Sequence, residues 1–468
     1  ARHHERGGRV SQALPPTHAG PHGALDPEKR PITQASLNDD VMRLISLPGK
    51  IWWAAFIFDL MVLGVALAAV RNLIVHGWGV SGFQRPVMWA VDITNFVFWV
   101  GIAHCGTLVS AVLFLFRSHF RRAVYRVAEA MTVFGVLTAA MFPAIHTGRP
   151  WFDYWLFPYP NQRQLWTNVR SPLEWDVFAV NTYLTVSSIF FLVGLIPDVA
   201  AVRDRAKHPL MKLIYTLLSF GWTGANYQWK HFYGAYLFFA ALATPLVFSV
   251  HSVVSWDFAM AQTPGWHSTL FAPYFVAGAI FSGVAMVINL LIPIRKVFKL
   301  EHIVTLDHME KLAKLVLLTS TMVGYSYMTE FFMAWFGPSN AERDLFWFRA
   351  TGHYWWAFWT MFSCNVIFPL TLWFKPMRRN MVAMFFLCIL VNVGMWFERF
   401  VIIVTSLTRS FNPATWFYYK MSLTEVCLIV GSFAWFFMFF LVFVRVLPAF
   451  SIAEIKETLP MPRRRDRA

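Results

Sequence analysis

A chain that returns again and again to apolar runs of 18 residues or more has few folds open to it. Such runs occur at about 51–75, 87–116, 124–146, 173–197, 231–260, 270–296, 306–336, 350–374, 381–407 and 420–448. Each is long enough to cross the hydrocarbon layer, which takes roughly 20 helical residues. Lipid offers no partner to a bare N–H or C=O, so each run must satisfy its own backbone as a helix. The expected fold is an all-α polytopic membrane protein with about ten transmembrane helices. With 57% of residues hydrophobic and only 14% charged, the composition agrees.

The formal charge of +15 would suit a nucleic-acid partner if it lay on one soluble face, but the cations are in the connections between apolar runs. Nucleic acid is therefore excluded and the lipid bilayer is the medium. Arg117, Arg121, Arg122 and Arg126 follow span 2; Arg203, Arg205, Lys207, Lys212 and Lys230 follow span 4. Arg295, Lys296, Lys299, Lys311 and Lys314 follow span 6, and Lys375, Arg378 and Arg379 follow span 8, whereas the odd-numbered connections are poorer. The positive-inside rule then places both termini in the cytoplasm, in agreement with the tail Arg463-Arg464-Arg465. Residues 1–45, polar and rich in Pro, Gly and His, read as a cytoplasmic arm without a cleavable signal peptide. The half-apolar segment 209–229, interrupted by Gly221 and Gly224, is expected to lie on the cytoplasmic surface and not to form an eleventh span.

With that orientation span 3 ends at His146, span 4 begins at Asp176 and span 5 ends at Asp257, all three at the outer interface. The connection 147–172 carries Trp151, Phe152, Tyr154 and Trp155 and is expected to lie there as a lid. Interfacial His and Asp residues often only cap helices or meet headgroups, but a shared side on consecutive spans points to a common site. A quinol head needs proton-accepting groups at both ends of its ring within an aromatic pocket. His146 with Asp176 or Asp257 supplies the first, and Trp151, Phe152, Trp175 and Trp256 the second. Arg149 is either an interfacial anchor or a group that orients one of the carboxylates.

Further polar residues lie in the spans: Asp59, Asp92, His104 with Thr107, Glu129, His251, Glu330, Glu398 with Arg399, and Glu425. Ionisable groups in the hydrocarbon layer usually face a cavity or a partner. These could relay protons, or they could be interhelical hydrogen bonds and a charge network. Cys105, Cys364, Cys388 and Cys427 lie inside apolar runs without CxxC or Cys/His spacing, so they read as structural thiols and no metal is expected on this chain. A bis-His haem finds no convincing pair at equal depth, with His104 and His251 the one pairing left open.

The segments 142–150, Phe-Pro-Ala-Ile-His-Thr-Gly-Arg-Pro, 171–176, Ser-Pro-Leu-Glu-Trp-Asp, and 249–259, Ser-Val-His-Ser-Val-Val-Ser-Trp-Asp-Phe-Ala, resemble the quinone-binding membrane subunits of the NrfD and polysulfide reductase family. The likeness covers about residues 45–455. Ten spans and polar extensions at both ends resemble most the ActC branch of that family, from alternative complex III. The resemblance implies two four-helix bundles with a flanking helix at each end. In residues this means an arm at 1–45, a flanking helix at 46–86, a first bundle with the quinol site at 87–260, a second bundle at 261–410, and a last helix with basic tail at 411–468.

The resemblance also implies that His146, Asp176 and Asp257, with Arg149 and Trp256, bind quinol, with menaquinol the expected form, and that His104, Thr107 and His251 belong to a polar half-channel. Glu129, Asp59, Glu330, Glu398 and Arg399 extend the expected proton path. Electrons would pass to a periplasmic iron-sulfur subunit and on to a multihaem cytochrome c, so that the clusters and c-type haems sit on partners. Those partners would include a second NrfD-like membrane subunit and small membrane subunits in a bacterial inner membrane. The expected activity is quinol oxidation within a multisubunit oxidoreductase. The alternatives are the membrane anchor of a molybdenum reductase such as polysulfide reductase, and an ion-coupled transporter. The lack of paired Gly/Pro-broken spans in two halves weakens the last.

Overall fold

The structure, a computed structural model, describes residues 28, 30–45, 48–157 and 171–459. Most of the expected N-terminal arm, the second half of the aromatic connection and the tail at 463–465 lie outside the described residues. Among those described there is no strand, and eight helical segments are long and apolar enough to cross a membrane.

In chain order the helices are α1 (Gln34–Leu44), α2 (Lys50–His76), α3 (Val91–Thr107), α4 (Tyr125–His146), α5 (Pro172–Arg203), α6 (Pro209–Leu218) and α7 (Asn226–Ala259). They continue as α8 (Phe271–Val297), α9 (Leu306–Phe336), α10 (Asn340–Thr351), α11 (Trp355–Phe362), α12 (Met381–Phe400), α13 (Leu423–Val446) and α14 (Ile452–Lys456). Eight of the ten expected spans coincide with the eight apolar segments to within a few residues at most ends. The other two differ for local reasons. Helix α9 has 31 residues, but Asp307, Glu310, Lys311 and Lys314 charge its first turns. There Arg379 donates to Asp307 at 2.7 Å and to Glu310 at 2.9 Å. The region 350–374 is helical but broken, α11 passing into a π turn at Ser363–Ile367 and a 3-10 turn at Phe368–Trp373. Segment 209–229 forms the ten-residue α6, too short to span, which ends where Phe220, Gly221 and Gly224 take positive φ.

Helices α3, α4, α5 and α7 pack on one another, as do α8, α9, α11 and α12. Helix α3 is buried along its whole length and also packs on α8, which joins the two groups. The flanking helices α2 and α13 pair with each other, and α13 also lies against α4. Between helices in lipid, close approach depends on small residues, and two glycines make the crossings of α3. A Cβ on Gly106 would collide with the Ala128 carbonyl and Thr132 of α4, and one on Gly283 of α8 with Cys105.

These antiparallel neighbours bring together the start of α3, the end of α4, the start of α5 and the end of α7. Pro172 starts α5 at its first turn, where its missing N–H costs nothing. Asp176 therefore sits one turn into the helix at that same end.

Candidate functional site

At this end of the first group the titratable side chains form two pairs. The carboxyl groups of Asp176 and Asp257, from α5 and α7, are near enough to feel each other's charge, though no hydrogen bond joins them. His146, the last residue of α4, faces Asp92 in the first turn of α3, with Nδ1 3.7 Å from Oδ2. Trp78 donates its indole N–H to the His146 carbonyl at 2.8 Å. The Phe83 ring stands edge-on to the imidazole, 5.6 Å between centroids. Trp175 and Trp256 meet edge-to-face at 6.1 Å, and Trp89, Phe258 and Trp266 form a second aromatic group beside them.

Several of the polar atoms here are buried yet unused. Both Asp176 oxygens, Asp257 Oδ1, Asp92 Oδ1 and His146 Nδ1 have no hydrogen-bond partner among the described residues. An orphaned buried polar group costs about 1–3 kcal/mol, so five at one end of one bundle fit a site that is completed by a polar guest. A ring with a hydroxyl at each end suits such a site, since these atoms can all accept or exchange protons.

The structure thus brings Asp176 near Asp257 but gives His146 a different partner. Asp92 stands in the sequence reading only among the deeper polar residues. Chain order held the signal, because span 2 begins at about 87 and position 92 falls in its first turn on the same side as His146. Glu174, buried in the first turn of α5 with Oε2 unpartnered among the described residues, was also missed. Arg149 is exposed and makes no ion pair with a described carboxylate. Trp151 and Phe152 are exposed too, on a 3-10 turn at Pro150–Leu156 that Thr147 ties to α4 by donating to Asp153 at 3.0 Å. Burial raises the Asp153 carboxyl above its ordinary pKa, and the Thr147 hydroxyl offsets part of the rise.

Below this end a polar track follows α3. His104 and His251 are both fully buried, their rings 4.8 Å apart and tilted by 56°. His104 also stacks flat on Tyr183 at 4.5 Å, and its Nδ1 bonds the Val100 carbonyl. The two imidazoles are in contact, which leaves no gap for a porphyrin plane between them. The Tyr183 hydroxyl meets Thr107 Oγ1 at 2.8 Å, just before a π turn at Leu108–Val112.

At the far end, Arg126 donates to Glu129 at 3.1 Å, to Asp198 at 2.8 Å and to the Gly194 carbonyl at 2.7 Å. Tyr236 donates to Glu129 at 3.1 Å. The expected proton-path residue Glu129 is therefore also half of a buried ion pair. In the second group Arg399 and Tyr327 both donate to Glu398, while Glu330 lines a small cavity with Arg349, Tyr274 and Tyr327. The Arg399 guanidinium lies 4.5 Å over the ring of Phe275, which itself neighbours His251. Asp59 sits apart, half-buried on α2.

The fold and this cluster define a polytopic helical membrane protein with buried carboxyl groups and a histidine gathered at one end of a four-helix group. Residues 79–410 match the family model described as polysulphide reductase, NrfD, and the chain belongs to that family. It is 25% identical over 238 residues to a putative membrane subunit of dimethyl sulfoxide reductase from Halobacterium salinarum, covering 50% of each chain. It is 24% identical over 201 residues to an Hdr-like menaquinol oxidoreductase integral membrane subunit of Archaeoglobus fulgidus, covering 42% of this chain and 48% of that one. The chain spans about half the length of the curated relatives it matches.

Proposed function

We propose that this chain oxidises quinol at the outer face of a bacterial cell membrane as the membrane subunit of an alternative complex III. The observation that carries this reading is that two titratable pairs, His146 with Asp92 and Asp176 with Asp257, lie at the same end of the helix group with buried atoms that have no hydrogen-bond partner among the described residues. Loss of two electrons makes both hydroxyls of a quinol strongly acidic. His146 takes one proton and the Asp176–Asp257 pair the other, and both discharge through the adjacent end of the bundle. The two electrons leave to an iron-sulfur cluster on a periplasmic partner and then to a multihaem cytochrome c. Menaquinol is the proposed substrate, which the name of the Archaeoglobus relative supports. Trp256, next to Asp257 in the chain and edge-to-face with Trp175, is assigned to hold the quinol ring, and Arg149 to bind beside it. His104, Thr107, His251 and Glu129, with Glu330, Glu398 and Arg399 in the second group, serve any further proton transfer.

The test is quinol turnover by the purified complex. His146→Ala or Asp176→Asn should each remove most activity while the complex still assembles, and near-normal turnover in both would sink the site. The Halobacterium relative favours a second reading, a membrane anchor for a molybdenum reductase. The subunits that co-purify decide between them, c-type haem supporting the first and molybdopterin the second.

A further inference from the structure

At the end of the first group opposite the acid pairs lies a cavity of about 240 Å³, lined by Phe114, Arg117, Arg121, Arg122, Tyr233 and Tyr236 among others. The proposed quinol chemistry uses none of these arginines. Arg121 is only 4% exposed. Its guanidinium lies 4.7 Å from the Phe114 ring centre and 4.6 Å from that of Tyr125, which fixes its plane. One side is used, Nη2 donating to Glu454 of α14 at 2.6 Å. The other nitrogen, Nη1, is buried and has no partner among the described residues. A charged donor held in a wall without an acceptor marks a place for an anion.

The balance of charge around the cavity agrees. Two carboxylates line it, Glu454 on Arg121 and Glu457, which lies 4.0 Å from Arg122 and accepts from Tyr233. Three guanidinium groups against two carboxylates leave an excess of positive charge. Beside the cavity the surface turns apolar, with Phe116, between the lining residues Phe114 and Arg117, 79% exposed. An anion that fits both surfaces carries a hydrocarbon chain.

We propose that this cavity binds the headgroup phosphate of an anionic phospholipid from the leaflet bordering this end of the bundle, with an acyl chain running along Phe116. Guanidinium forks match phosphate oxygens in pairs. Basic pockets between transmembrane helices are a recurrent way of holding anionic headgroups. The site stands independently of the quinol reading.

The full-length protein, stripped of lipid in detergent, is titrated with phosphatidylglycerol, with phosphatidylcholine and with inorganic phosphate, and bound adducts are counted by native mass spectrometry. One tight phosphatidylglycerol adduct is expected, with phosphatidylcholine held far more weakly. Arg117 is exposed and Arg122 partly so, so Arg117→Gln/Arg122→Gln should fold normally and hold that adduct about 25-fold more weakly, the effect of two cationic contacts. Lys207→Gln/Lys212→Gln, which removes the same charge from exposed positions elsewhere, should stay within twofold of the parent. Equal retention of the two lipids, unchanged retention in the arginine variant, or an equal loss in the lysine variant overturns the proposal. Displacement of the adduct by inorganic phosphate at matching concentration also overturns it, by assigning the site to the free ion.

Discussion

Replacing Asp92 by asparagine should slow quinol oxidation about 30-fold, although Asp92 is not among the three residues that chain order first picks out. Asp92 is 2% exposed, and its Oδ2 lies 3.7 Å from His146 Nδ1. When His146 takes up a proton, a positive charge forms opposite that carboxylate. At an effective dielectric near 20 their attraction is about 4 kcal/mol. The asparagine keeps the shape and escapes the desolvation cost of a buried carboxylate. The net loss is therefore about half, roughly 2 kcal/mol, which is the 30-fold fall expected in kcat/KM. The assay is initial-rate quinol oxidation by the intact complex at saturating electron acceptor, for Asp92→Asn, His146→Ala and the double variant. Because Asp92 acts through His146, the double variant should be no slower than His146→Ala alone. Turnover within twofold of the parent in Asp92→Asn, or losses that simply multiply in the double variant, would refute the reasoning.

Arg126→Met should destabilise the protein by about 3–5 kcal/mol, because it leaves Glu129 and Asp198 buried without their cation. Adding Glu129→Gln and Asp198→Asn should recover much of that loss, as read by thermal unfolding in detergent. Gly106→Ala should cost at least about 1–3 kcal/mol by forcing α3 off α4, whereas Gly64→Ala, inside α2 with open space around it, should not lower the unfolding temperature and should raise it slightly, alanine being the better helix former. Asp59→Asn should leave turnover within twofold of the parent, since α2 packs mainly on α13 and away from both acid pairs; a large loss would bring the flanking helix into the mechanism.

The membrane fold was legible because it depends on a property of single segments. A run such as 270–296 must be a helix in lipid whatever its neighbours are, and the short α6 could be told from a span by its glycines. The run at 350–374 was harder, because a helix, a π turn and a 3-10 turn can share one apolar composition. The trio assigned to the proposed quinol site was legible only as far as parity reaches. Chain order put His146, Asp176 and Asp257 at one end but carried no rotation about the helix axes, so it could not say that His146 turns to Asp92. His104 and His251 show the same limit: their contact depends on the depth and rotation of α3 against α7.

By itself, then, the sequence determined an all-helical membrane chain, the end of the bundle at which its acids gather, and the cation-rich connections at the other end. These follow from hydrophobic length and charge counted along the chain. Only the tertiary structure decided the pairs, Asp176 with Asp257, His146 with Asp92 and Arg126 with Glu129 and Asp198. Pairing is set by which faces of neighbouring helices meet, and that in turn rests on close crossings such as Gly106 against Ala128 and Gly283 against Cys105. Neither glycine stands out in a chain that has 25 of them.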